Sequence, residues 1–175
     1  VAAYGTIMYV NFIFIAIFLG YSIGSAPIIS FHYGAKNDNE LKNLFKKSIS
    51  LIGSWGIMLF VIAQLIAGPL AKLFVGYNAD LFLMTKHGFQ IFCFAFLING
   101  FNIFGSSFFT ALNNGLISAA ISFLRTLVFQ LSVVLILPMI LGINGIWISV
   151  AIAELLTLCV TVTCLIRKRK VYHYI

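Results

Sequence analysis

Five apolar runs, each of roughly 20 or more residues, restrict this chain to one kind of fold. They lie at about 5–33, 48–70, 88–112, 116–137 and 145–166. Each is long enough to cross a hydrocarbon core about 30 Å thick. Barrel strands alternate apolar and polar residues over about 10 positions. These runs are apolar on every face. Backbone groups in lipid must be satisfied within the segment, so each run is expected to become a helix. The expected fold is all-α: a polytopic transmembrane helix bundle of about five spans, closed by a basic tail over 167–175. Composition agrees. The 175 residues are 62% hydrophobic and 9% charged, where a soluble domain carries about 25% charged residues. That much apolar surface cannot be hidden in a soluble fold of this length.

The connectors are short. The stretch Ala35 to Lys47 is rich in Lys and Asn, and Gly76 to Lys86 carries one acid, Asp80. Asn113-Asn114-Gly115 and the stretch Leu141 to Gly145 read as tight turns, because Gly and Asn accept positive φ. The three prolines punctuate the spans: Pro27 is expected to kink the first, Pro69 to end the second and Pro138 to end the fourth. The first residues, Val1 to Gly5, contain neither Met nor a basic leader, so the sequence reads as a segment that starts close to a span. Basic residues set the orientation. Lys36, Lys42, Lys46, Lys47, Arg125 and Arg167 to Lys170 fall on one side of an alternating bundle; Lys72 and Lys86 fall on the other. The expectation is a multi-pass protein of the cell membrane with its N-terminus outside and its C-terminus in the cytoplasm. The net charge of +7, placed beside spans, points to anionic lipid headgroups rather than nucleic acid.

Glu154 is the most informative single residue. It stands in the middle of the last apolar run, away from the connectors that hold Asp38, Glu40 and Asp80. A carboxyl at mid-membrane depth is expensive, and is kept for transport, proton relay or a specific polar partner. The alternative is a neutral Glu that hydrogen-bonds across a helix interface. In the third run Asn99, Asn102, Ser106 and Thr110 recur at intervals of three, four and four, which sets them on one helical face. Such a stripe either lines a wet cavity or bonds helix to helix. In the first run Tyr4, Asn11, Ser22 and Ser25 share a face, and Gly20 and Gly24 have the spacing of a close helix contact. Pro27 frees a carbonyl near Ile23, a device that broken transporter helices use for substrate or ions. Arg125, about two turns into the fourth run, is expected to snorkel to the interface or to brace an inner network. Phe101 and Phe108, near the stripe, are candidates for cation–π contact.

Several classes are disfavoured. Cys93, Cys159 and Cys164 fall inside apolar runs without metal spacing and read as small buried hydrophobes. His32, His87 and His173 are scattered. With no phosphate loop, nucleophile elbow or metal motif, the sequence implies no catalytic residue, no metal and no cofactor, and an enzyme is not expected.

The stretch Ala26-Pro-Ile-Ile-Ser-Phe-His-Tyr-Gly-Ala-Lys-Asn37 resembles the PIISYNYGAKN segment of MATE multidrug exporters, followed as in them by a Lys-rich stretch. Asn99-Gly-Phe-Asn102 with Ser107 to Ala111 is similar to the family's tenth helix. Ser122 to Arg125, the Leu137-Pro138 end, Gly145-Ile-Trp147 and Ala153-Glu154 are similar to its eleventh and twelfth. The resemblance implies helices eight to twelve of a twelve-helix, two-lobed transporter: most of the C-terminal lobe, with the N-terminal lobe supplied by the rest of the protein. The branch it resembles is that of the DinF-like or MepA-like exporters. Two departures stand out. Ala26 replaces the family's frequent Gln, and the tenth-helix stretch lacks the acid of the Na⁺-coupled NorM branch. The resemblance further implies a secondary antiporter that expels cationic lipophilic drugs in exchange for H⁺ or Na⁺. Its alternatives are a lipid-linked oligosaccharide flippase of the same superfamily, which would need basic residues in its cavity, and an oligomeric channel or structural subunit.

Overall fold

The computed structural model describes residues 2–174. Five long helices fill it: α1 (Ala2–Gly34), α2 (Asp38–Val75), α3 (Ala79–Ala111), α4 (Gly115–Leu141) and α5 (Ile143–Tyr172). All five are long and apolar enough to cross a membrane. The all-α transmembrane bundle expected from the sequence is what forms.

The helices outrun the apolar stretches. The polar segment 35–47, expected as a connector, is open only over 35–37, and 76–86 only over 76–78. The caps explain where the helices begin. The side chain of Asn37 accepts from the Glu40 amide at 3.3 Å, Asn78 from Leu81 at 3.0 Å and Asn114 from Ile117 at 3.2 Å. Each cap satisfies an orphan amide and stabilises its helix start by about 1 kcal/mol. Three acids expected in loops therefore sit in first turns, Asp38 and Glu40 in α2 and Asp80 in α3, where the helix dipole favours negative charge. At 38 residues, α2 is about 57 Å long at 1.5 Å per residue. Its Lys-bearing first turns thus reach well past a hydrocarbon core of about 30 Å.

The prolines do not stop their helices. Pro27 lies inside the unbroken α1, α2 continues past Pro69 to Val75, and α4 continues past Pro138 to Leu141. A proline in a helix removes one backbone hydrogen bond, which a membrane helix tolerates when neighbours satisfy the freed carbonyl. The expected five-residue turn between α4 and α5 shrinks to Gly142, at φ +57° and ψ −138°. That conformation is open essentially to glycine alone.

The middle helix is α3, which packs against all four others. Of its most apolar stretch 61% is buried, against 6% for α4. Phe89, Phe92, Phe96, Phe104, Phe108 and Phe109 project from it into the core. Near the C-terminus, Tyr174 folds back between Phe45 and Phe108 and donates to the Leu165 carbonyl at 2.6 Å. Burial, with Tyr172 and Cys164 nearby, pushes the Tyr174 hydroxyl well above the usual phenol range.

Three local expectations are corrected. A methyl group built at Gly20 or Gly24 meets nothing within 4 Å, so that pair marks no close helix contact. Of the cysteines only Cys93 is buried; Cys159 is exposed on the outer surface and Cys164 is half-buried. Phe108 is fully enclosed in the aromatic core, and the half-buried Phe101 faces a separate groove with Phe45 and Thr161, so neither lines the cleft beside Glu154.

Candidate functional site

Glu154 sits on α5 facing the central helix, with its side chain only 4% exposed. Its surroundings are built from three helices. From α4, Arg125 Nε donates to Glu154 Oε1 at 2.9 Å and Nη2 approaches the same oxygen at 2.7 Å. From α3, Asn102 Nδ2 donates to Glu154 Oε2 at 2.7 Å and to the Glu154 backbone carbonyl at 2.8 Å. Thr161, two turns further along α5, donates to Asn102 Oδ1 at 3.1 Å. That bond fixes the amide so that its nitrogen faces the acid. Asn99 completes the set. With its amide turned nitrogen-first, the orientation that satisfies both its ends, it donates to Oε1 at 2.8 Å and Oε2 at 3.2 Å. Both oxygens of Glu154 are therefore acceptors, held by a guanidinium and two amides. This is the bonding pattern of a carboxylate.

The backbone of α4 positions Arg125. Over Leu124–Gln130 the helix widens to π geometry, and Arg125 stands at its start. A π segment holds more residues per turn and re-aims the side chains around it, and such segments are frequent at functional sites. On the opposite face, Gly105 of α3 touches the Thr161 methyl, which leaves no room for a Cβ. This close approach lets α5 bring Thr161 within reach of Asn102.

Beside the ion pair, a cleft opens between α1 and α4, floored by α3 and α5. It consists of two adjoining cavities of about 410 Å³ and 290 Å³ that share Leu19, Ile103 and Arg125. The larger contains Asn11, Asn99, Gln130 and Glu154; the smaller is lined by the hydroxyls of Ser22, Ser106, Ser107, Thr110 and Ser122. Ser106 exchanges hydrogen bonds at 2.9 Å with Ser118 and with Ser122, Thr110 donates to Ser118 at 2.7 Å, and Ser107 donates to the Ser22 carbonyl at 3.1 Å. These hydroxyls tie α3 to α4 and to α1. Arg125 and Glu154 are the charged residues lining the cleft, and they neutralise one another.

The residues singled out from sequence divide into groups. Glu154, Asn99 and Asn11 line the larger cavity; Ser106, Thr110 and Ser22 line the smaller. Asn102 lies behind Glu154, fully buried, and clamps it. Ser25 bonds locally to the Ser22 carbonyl at 3.3 Å and does not line the cleft. The α3 stripe is thus both things weighed for it, cavity wall and helix glue. Arg125 braces the inner network and does not snorkel. That removes it from the charge count behind the orientation and leaves the other eight basic residues on that side against two. The sequence pattern did not single out Ser118, Ser122, Gln130 or Thr161 for the site. Ser118, Ser122 and Arg125 recur at intervals of four and three, a one-face pattern of the same kind as the α3 stripe.

A family model described as MatE matches residues 1–136. The sequence has no match among curated proteins. Three solved structures share the fold. One is the Vibrio cholerae MATE transporter VcmN in a bent form, with TM-score 0.85 and 18% identity, covering 98% of this chain and 40% of that one. A second is a MATE protein in complex with MaL6, with TM-score 0.87 and 19% identity, covering 98% of this chain and 39% of that one. The third is an inward-facing multidrug resistance MATE family transporter of the MOP superfamily, with TM-score 0.88 and 17% identity, covering 97% of this chain and 40% of that one. The chain thus spans about 40% of the length of these structures.

Proposed function

The chain belongs to the MatE family, whose members are transporters rather than enzymes, and from that premise we propose that it supplies one lobe of a secondary antiporter. The full protein would export cationic lipophilic drugs across the cell membrane in exchange for H⁺ or Na⁺. The observation that carries this reading is the cleft between α1 and α4. It is a polar recess in a bundle whose outer surface is apolar. Polar side chains at this depth do not face lipid cheaply, and a transporter gives them a ligand and water instead. Helices from the remaining length of the protein would face the cleft, and rocking of the two lobes would expose it to either side in turn.

In this reading Glu154 is a clamp. Its oxygens are taken by Arg125, Asn99 and Asn102, so it holds α3, α4 and α5 in register rather than binding the coupling ion directly. The coupling site would then lie in the part of the protein outside this chain. The C-terminal Arg167 to Lys170 cluster would lie against anionic headgroups on the cytoplasmic side.

The test is transport by the full-length protein in proteoliposomes loaded with a cationic dye such as ethidium. Imposing a proton gradient alone, then a sodium gradient alone, should drive dye movement in one of the two cases. No movement under either gradient, with protein correctly inserted, overturns the antiporter reading.

A further inference from the structure

A second recess lies away from the cleft. It is a groove of about 370 Å³ between α2 and α5, floored by Phe101 of α3. Phe45 and Ile49 form one wall, and Leu158, Val162 and Ile166 the other. Thr161 also lines it, but its hydroxyl is spent on Asn102 at 3.1 Å. Water held in a recess needs about 2–4 polar partners, and these side chains offer it none. The space suits hydrocarbon. At one end the groove stops where Tyr174 packs on Phe45 and donates to the Leu165 carbonyl at 2.6 Å. Toward that end both walls turn basic. On α2, Lys42, Phe45 and Ile49 recur at intervals of three and four. On α5, Leu158, Val162, Ile166 and Arg169 recur at four, four and three. Such intervals keep to one helix face. Lys42 is half-buried and Arg169 exposed. Neither has an ion-pair partner among the described residues, where the pairs are Arg125–Glu154 and His173–Asp38. Asp38, four residues before Lys42, lies 3.8 Å from His173.

We infer that this groove is a binding site for one anionic phospholipid, with an acyl chain lying between α2 and α5 and the phosphate held by Lys42 and Arg169. This is more than the general attraction of a basic tail to a charged surface. The chain is recognised by the shape of the groove and the headgroup by two cations that converge at its end. A guanidinium takes two phosphate oxygens at once, and an ammonium adds a point charge. Basic pockets between membrane helices suit such headgroups on the cytoplasmic side, which is where the orientation deduced from the lysines and arginines puts this end. Lys46, beside Phe45 in α2, adds to the same field from the flank. A neutral lipid would fill the groove but leave Lys42 and Arg169 without a counter-charge. An apolar helix from elsewhere in the protein would cover the walls and leave the basic end unanswered as well. The inference is independent of what the protein transports. It also has a mechanical consequence. The helix α2 packs on α1 and α3 rather than on α5, so a lipid seated here links two helices that do not otherwise pack together. Binding to the folded protein alone then raises its stability by mass action.

The experiment titrates purified, delipidated full-length protein with dioleoyl phosphatidylglycerol or dioleoyl phosphatidylcholine. Bound lipid is counted by native mass spectrometry, and the unfolding temperature is followed in parallel. Each basic residue near an anionic headgroup favours it about fivefold, so phosphatidylglycerol is expected to bind about 25-fold more tightly than phosphatidylcholine and to raise the unfolding temperature. Lys42→Gln with Arg169→Gln should bring the two lipids level. Lys47→Gln with Arg167→Gln removes the same charge from the far faces of the same helices, and should change the preference by about twofold at most, because exposed charges at a distance are screened. Val162→Trp fills the groove from a position that is 41% exposed. It should abolish the tight binding of phosphatidylglycerol and leave the unfolding temperature of the lipid-free protein unchanged. Equal affinity for both lipids in the wild-type protein overturns the site. Equal losses from the two charge pairs also overturn it, because the lipid then responds only to the overall charge. Undiminished binding by Val162→Trp overturns it too, and a lowered unfolding temperature in that variant would show that a helix from the rest of the protein fills the groove instead.

Discussion

Replacing Glu154 with Gln separates a clamp from a titrating group. The substitution keeps size and leaves one acceptor, but it removes the charge opposite Arg125. Breaking a buried pair from one side costs about 3–5 kcal/mol, because the partner charge stays buried and uncompensated. Here the exposures are unequal, 4% for Glu154 and 22% for Arg125. The stranded guanidinium can turn toward the cleft and recover some solvation, so the loss should fall near the lower end, about 3 kcal/mol. A second contribution acts in the same direction. Asn99 and Asn102 both donate to Glu154, and an amide nitrogen in place of one oxygen would face a donor instead of an acceptor. The double variant Arg125→Gln with Glu154→Gln removes both charges. It should be more stable than the sum of the single losses by at least about 1.5 kcal/mol, in the range found for coupled neighbours. The assay is denaturant unfolding of the full-length reconstituted protein, with dye export measured across external pH at matched amounts of folded protein. A clamp predicts that Glu154→Gln lowers export by the same factor at every pH. A loss of stability below about 0.5 kcal/mol, the scatter expected of uncoupled sites, with no coupling in the cycle and a flattened pH profile would refute the clamp.

The same geometry leads to three other outcomes. Asn102→Leu removes two hydrogen bonds to Glu154 and orphans the Thr161 hydroxyl; bonds to charged groups contribute about 1.5–3 kcal/mol, so a loss of about 2 kcal/mol and reduced export are expected, read by the same unfolding and dye assays. Gly105→Ala drives a methyl into Thr161, whereas Gly20→Ala meets open space; the first should cost about 1–3 kcal/mol as overpacking and the second almost nothing, and equal effects would show that α3 and α5 do not meet as described. A cysteine at Asn39 should be shielded from impermeant thiol reagents in intact cells while one at Asn78 is labelled, and the reverse pattern would invert the orientation.

What could be read from the sequence tracks the strength of the physical constraint. The helices were legible because a bilayer imposes length and hydropathy on every span. Their ends were not, because a polar, Lys-rich stretch reads as a loop although Asn37 caps a helix that simply continues out of the membrane. The α3 stripe was legible because periodicity of three and four marks one face. Its partners were harder to read. Arg125 is separated from Glu154 by 29 residues and a helical turn-around, and nothing local distinguishes an arginine that snorkels from one that turns inward. The π segment at Leu124–Gln130 leaves no compositional trace. Gly20 and Gly24 show the opposite error: the right spacing for helix contact with no neighbour behind it. Gly88, Gly100 and Gly105, without any such motif, are among the places where neighbours do close in.

The polar links fall where apolar packing is thinnest. Only Ile121 and Val133 of α4 are buried, and its exposed face runs through Leu116, Phe123, Leu127, Leu131 and Leu135 to Met139. Between membrane helices, burying such residues yields little, since lipid tails are as apolar as leucine; packing and interhelical hydrogen bonds decide association. Besides its close backbone packing on α5 around Gly145, Leu137 and Pro138, α4 has two polar attachments. One is the Arg125 fork on Glu154; the other is the group of hydroxyls joining Ser118 and Ser122 to Ser106 and Thr110. Both attachments lie at or just before the start of the π segment. The bundle thus combines a closely packed centre, the aromatic α3 and its neighbours, with a largely exposed cleft wall, α4. The alternating-access role proposed above would make use of such an asymmetry. It arises because the Arg125–Glu154 pair, with the one fully buried acid among the described residues, holds a largely exposed helix instead of the core.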